Sequence, residues 1–267
     1  GPRPSAGVPA RTLNLCTAAS GQFVTAVVLD CEARSGPLWE QSINTWSSLA
    51  YVIVGVVLAG AAARHRLPLG AVVLGAAIAL EGVGSVLFHG AESEVSLAIH
   101  DLALFAVAGF IVAWHLGRLR GTSETWSVVG AGVGLVAGGG IWLVERGSTN
   151  VIVGVSIAAI VVLDLIARRR GLAPVLSRGL VVFAVVAVAV WFLGRGESPF
   201  CDPDSPLQFH ALWHVMSAML LLGWADRAYF VEGTGRPLRL GRRSIDRMFG
   251  VVAWLVVRAF HRSVEVV

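Results

Sequence analysis

Seven apolar runs dominate the chain, at residues 45–63, 69–88, 95–117, 126–144, 149–167, 176–194 and 207–226. A helix that crosses a bilayer needs about 20 mostly apolar residues, and each run comes close to that length. Clusters of Arg, Pro or Gly bound the runs, as at Arg64-His65-Arg66-Leu67-Pro68, Arg168-Arg169-Arg170-Gly171 and Gly194-Arg195-Gly196. Hydrocarbon offers no water to an unpaired backbone group, so only helices and closed barrels span it. These runs are too long and unbroken for barrel strands. The loops are short, which packs sequential helices antiparallel. The expected fold is an all-α integral membrane protein, a seven-transmembrane helix bundle. Composition agrees: 55% of the 267 residues are hydrophobic and 14% charged, against about 25% charged in a soluble domain. A soluble enzyme, a disordered tail and a nucleic-acid-binding domain are excluded, and with a net charge of only +4 no nucleic-acid partner is expected.

The arginines set the orientation. With the N-terminus outside, sixteen arginines fall on the inner side and five on the outer. The expected topology is N-terminus out and C-terminus in. Residues 1–44 then form an extracytoplasmic segment, 45–226 the transmembrane domain, and 227–267 a basic cytoplasmic tail. The first 44 residues lack the basic start, long apolar run and small-residue cleavage site of a signal peptide. In the tail, Met248–Phe260 is apolar but too short to span; it reads equally as an interfacial helix or a frayed end. All 21 basic residues are Arg, which points to a GC-rich genome and a bacterial cell membrane. The glycines of the fourth span, from Gly130 to Gly140, follow no strand and read as close helix packing through small residues.

Ionisable groups inside spans are costly and mark function by default. His65, His115 and His261 read as interfacial. The topology brings His89, His100, His210 and His214 to one depth at the outer end of the bundle. His210 and His214, four residues apart, share a helix face, as two ligands of one metal must. With His89 they form the three-imidazole set of a catalytic zinc site, which keeps a fourth position for water. A helix cap or a wet cavity is the plainer reading of the pair alone. Asp101 reads as a general base for that water, with the orientation of a ligand imidazole as the alternative. Ser85, one turn from His89, reads as a donor to the developing oxyanion or a holder of the water. His100 points about 100° away from Asp101 around the helix and stays outside the ligand set. Glu81 reads first as a polar partner for a neighbouring helix and second as a proton relay. Asp164 reads as a surface ion pair with the arginines at 168–170.

Ser85-Val86-Leu87-Phe88-His89, Asp101 early in the next span, and His210-Ala211-Leu212-Trp213-His214 ahead of Ser217-Ala218 resemble the alkaline ceramidase family. The pattern is similar throughout its wider superfamily, which includes adiponectin-receptor-like proteins and GPI-remodelling lipid hydrolases. Asp30-Cys31-Glu32 and Asn44-Thr45-Trp46-Ser47-Ser48 resemble the same family's N-terminal signature. The resemblance covers residues 30 to 230 and implies a membrane-embedded zinc hydrolase. His89, His210 and His214 would bind the zinc, with Ser85 and Asp101 beside it. The implied substrate is a membrane lipid, ceramide or a similar N-acyl lipid, cut at its amide to release a fatty acid. An ester lipid or a receptor without turnover are the alternatives.

The family also carries an acidic calcium site near its N-terminus. Asp30 and Glu32 match it, but Arg34 stands where an Asn would fall and Gln41 or Glu40 near the later acid, which leaves Ca²⁺ in doubt. The resemblance further implies a Cys31–Cys201 disulfide, with Cys16–Cys31 as the competing pairing.

Overall fold

The computed structural model describes residues 30–34, 39–231, 239–240 and 243–244. Cys16, His261 and the Met248–Phe260 run lie outside the described residues. Helix α1 spans Ser42–Arg64, α2 Leu69–Ala91, α3 Glu94–Arg118 and α4 Ser123–Val133. A π-helical turn, Gly134–Gly138, joins α4 to α5, Gly139–Val144. Then come α6, Thr149–Arg169, α7, Arg178–Leu193, and α8, Phe209–Ala225, which continues as a π turn over Asp226–Val231. Taking α4, its π turn and α5 as one interrupted rod, the described residues form seven helical rods. A two-residue antiparallel ladder pairs Arg239–Leu240 with Arg243–Ser244.

Five of these rods are long and apolar enough to cross a membrane: Ser42–Arg64, Leu69–Ala91, Glu94–Arg118, Glu124–Val144 and Arg146–Arg169. Helix α7 is apolar but has 16 residues, about 24 Å at 1.5 Å per residue. Helix α8 has 17. Both start two residues later than the apolar runs that announce them, because the residues ahead of them are held outside the helix. The Ser177 hydroxyl accepts from Leu180 N at 3.2 Å and starts α7 at Arg178. Before α8, the Gln208 amide donates to the carbonyls of Asp202, Pro203 and Ser205 and keeps Gln208 extended.

The core is a cluster of buried side chains that includes Leu58, Leu74, Phe110, Trp114, Phe183 and Met216. Outward-facing residues are also apolar: Val136, Val144, Val155 and Val185 are each more than 60% exposed. A water-soluble surface does not carry such a belt, and hydrocarbon accepts it. The glycines of the fourth rod do pack closely. A Cβ on Gly134 would collide with the Phe105 carbonyl oxygen of α3, and one on Gly130 would lie 2.6 Å from the Gly109 oxygen. Small residues thus let α3 and α4 cross at backbone contact.

Two further polar residues differ from expectation. His115 is not interfacial; it is 1% exposed and accepts a hydrogen bond from Trp224 Nε1 at 3.1 Å. Asp164 does pair with Arg168, at 2.9 Å, but it is buried and also accepts from Val175 N at 3.0 Å. It therefore anchors the loop before α7, a tertiary contact that its distance from an arginine cluster does not reveal.

Gly134→Val should lower the stability of the detergent-solubilised protein by about 1–3 kcal/mol through overpacking, read as a fall in thermal unfolding midpoint. Gly132→Ala, where an added Cβ meets nothing within 4 Å, should leave the midpoint unchanged.

Candidate metal centre

Four chain segments meet at one end of the bundle: residues 30–34, the first turns of α1, the last turn of α2 and the first turns of α8. The 30–34 segment is laid against the loop that follows α7. Cys31 N donates to the Gly194 oxygen and Ala33 N to the Pro203 oxygen, both at 3.0 Å. Cys31 is disulfide-bonded to Cys201, the pairing implied by the resemblance. Glu32 then caps α1. Its two carboxylate oxygens accept from Ile43 N at 2.6 Å and Asn44 N at 2.8 Å. These amides have no partner inside the helix, and a negative charge suits the positive end of its dipole. One residue before the helix, Gln41 N donates to the His89 oxygen at 3.0 Å and ties α1 to the end of α2.

His89, His210 and His214 converge there. Their ring centroids lie 4.6–5.2 Å apart, one ligand nitrogen from each falls within 4.8 Å of the others, and all three residues are buried. The rings of His89 and His214 are held from behind through Nδ1. His89 Nδ1 lies 2.6 Å from Gln41 Oε1, a carbonyl oxygen, so Nδ1 carries the hydrogen. His214 Nδ1 lies 2.9 Å from Ser47 Oγ and 3.2 Å from Ser48 Oγ. Both serines spend their one hydroxyl hydrogen on the Asn44 carbonyl, so towards His214 they accept. His210 Nδ1 faces the Asp30 carboxylate at 3.1 Å, although not along a hydrogen-bond direction. Asp30 is in turn paired with Arg195 at 3.1 Å, and burial pushes its carboxyl up to about 6 against the pull of that guanidinium.

With Nδ1 protonated, the lone pairs of His89 and His214 sit on Nε2. His89 Nε2 is buried without a hydrogen-bond partner. A buried acceptor left unpaired is costly, and a cation shared by three imidazoles is the ligand that would satisfy it. The donor set fits a divalent ion that prefers nitrogen ligands, zinc among them.

The other expected site residues fall in different places. Ser85 is buried and its hydroxyl lies 2.8 Å from Ser48 Oγ. Since the Ser48 hydrogen goes to Asn44, Ser85 is the donor of that pair. Its hydrogen is therefore spent, and its lone pairs remain to accept from a water. The reading of Ser85 as an oxyanion donor gives way to the reading as a water holder. Asp101 is turned away from the three rings. Oδ1 lies 2.8 Å from His100 Nδ1, and Oδ2 accepts from Trp142 Nε1 at 2.7 Å and Thr149 Oγ1 at 2.6 Å. Such a saturated carboxylate is poorly placed as a general base; it orients an imidazole, and that imidazole is His100. Asp30 and Glu32 serve two different partners, His210 with Arg195 and the α1 amides. The histidine trio is the one group of three or more metal-ligating side chains among the described residues, so the calcium reading of Asp30 and Glu32 has no support in the geometry.

Gln41, Ser47 and Ser48 were not singled out as supports of the ligands. Ser47 and Ser48 sit within the N-terminal signature and Gln41 just ahead of it, so that signature was the available signal. No protein-family model matches the chain, and no curated protein matches it.

Gln41→Leu removes the acceptor behind His89. It should weaken zinc binding by about 10–100-fold, measured by competition with a chelating dye, while the protein stays folded. Unchanged affinity would show that His89 needs no such support.

Proposed function

We propose that the chain is an integral membrane, zinc-dependent hydrolase that cleaves the amide of ceramide or a similar N-acyl lipid. The observation that carries this reading is the buried histidine trio, with the His89 and His214 rings anchored through Nδ1 and Asp30 set beside His210. When bound, zinc lowers the pKa of a coordinated water to about 7 and polarises a carbonyl. His89, His210 and His214 hold the ion, and Gln41, Asp30, Ser47 and Ser48 fix the ring orientations. Ser85 accepts a hydrogen bond from the water and orients it. The surrounding apolar bundle keeps bulk water from the bond being cut.

The position of the site suits a lipid amide. Trp39 and Trp46 stack at 5.4 Å beside it and are 47% and 61% exposed. Exposed tryptophans favour the membrane–water boundary, the depth at which the amide of a two-chain lipid lies. The motif resemblance supports an amide over an ester. The sixteen-to-five arginine split supports seven spans with the N-terminus and site outside and the C-terminus inside, on a bacterial cell membrane.

Purified protein given a panel of N-acyl and ester lipids should release fatty acid from the N-acyl members. His214→Ala should lose both zinc and turnover. Full turnover without zinc would end the zinc mechanism, and release from esters alone would move the reading to the ester-lipid branch. A reporter fused to the C-terminus should be active only in the cytoplasm. An external reporter would invert the topology and favour the receptor-like branch.

A further inference from the structure

Behind the histidine site lies a buried polar cluster that takes no part in holding its rings. It consists of Glu81 on α2 and His100 and Asp101 on α3; Glu81 is 2% and Asp101 3% exposed. The two helices touch here. A Cβ on Gly84 would lie 2.7 Å from His100 Cα, so the glycine allows His100 to leave α3 directly against the turn that carries Glu81. His100 then bridges the two acids, with Nδ1 at 2.8 Å from Asp101 Oδ1 and Nε2 at 3.5 Å from Glu81 Oε1.

The two acids are not equivalent. Asp101 is met by three donors, His100, Trp142 and Thr149. Glu81 has one long contact, and its Oε2 is buried with no partner. Left ionised there it would be an unpaired charge in an apolar bundle, which the fold disfavours. A proton on Glu81 removes that unpaired charge.

We propose that Glu81, His100 and Asp101 form a proton-carrying triad coupled to the histidine site, with Glu81 the member that holds the exchangeable proton. His100 interacts electrostatically with Asp30 and with His89, His210 and His214. Tyr51 of α1 bonds through its hydroxyl to Ser217 of α8. Ser85 lies one turn from Glu81 on the same face of α2 and connects through Ser48 to His214. The role in turnover rests on the hydrolase reading. In amide hydrolysis the water oxygen forms the new C–O bond, the C–N bond breaks, and one proton passes from water to the departing nitrogen. The triad relays the proton that the water loses on its way towards that nitrogen, taking up one proton for each it gives up, so it ends each turnover unchanged. Its members are positioning and relay residues, since none is shown to touch substrate.

The test is infrared difference spectroscopy of the whole chain in lipid nanodiscs, zinc-free against zinc-loaded, in H₂O and D₂O. A protonated-carboxyl band should be present, shift in D₂O and change on zinc loading. It should vanish in Glu81→Gln, move in Glu81→Asp and persist in Asp30→Asn. Glu81→Gln should bind zinc with unchanged stoichiometry, lose at least tenfold in kcat with KM within twofold, and show an altered pH profile. Absence of the band from the unaltered protein, or its survival in Glu81→Gln, overturns the proposal, as does a Glu81→Gln protein with unchanged kcat and pH profile. If the unaltered protein binds zinc but cleaves no lipid, the hydrolase reading fails while the infrared band still decides the triad.

Discussion

The arrangement at one end of the bundle turns on where its buried imidazoles keep their hydrogens. A neutral imidazole is donor at one nitrogen and acceptor at the other. Gln41 Oε1, Ser47 and Ser48 Oγ, and the Asp30 carboxylate each meet an Nδ1. For His89 and His214 that leaves the lone pair on Nε2, among buried residues. His89 Nε2 has no protein partner there. An apolar core would be cheaper to build from leucine, and three buried acceptors facing one another are tolerable only when something positive sits between them.

Much of the local structure follows from keeping those supports in place. Glu32 holds the start of α1 through two backbone amides, which fixes Asn44, and the Asn44 carbonyl takes the hydrogens of Ser47 and Ser48. The same short segment carries Asp30 to His210 and is fastened by the Cys31–Cys201 disulfide. A stretch that precedes the first helix therefore supports ligands on α8, more than 160 residues later. The acids that resemble a calcium site act here as a helix cap and a histidine partner. Arg195 supplies positive charge beside Asp30.

Hydrophobic runs and their flanking arginines made the helical membrane fold legible, because lipid imposes a length and a polarity that a run of residues displays directly. Helices α7 and α8 start later than their apolar runs because Ser177 and Gln208 hold their flanking residues outside the helix, a side-chain effect that hydropathy does not see. The histidine set was legible from i, i+4 spacing and from the alternating direction of spans. Its supports were not, since Gln41 meets His89 across 48 residues and Ser47 meets His214 across 167. Asp101 shows the limit of depth as a guide: it lies at the expected level, but Trp142 and Thr149 on later elements turn its carboxylate away. His100, set aside for its direction on the helix, is the residue that direction sends to Glu81.

The most direct measurement of the central claim is metal analysis of the purified chain combined with X-ray absorption at the zinc edge. The account predicts one zinc per chain, with three imidazole nitrogens at about 2.0–2.1 Å and a light fourth ligand. Absence of metal after purification and zinc supplementation, or coordination without the imidazole signature, would contradict it.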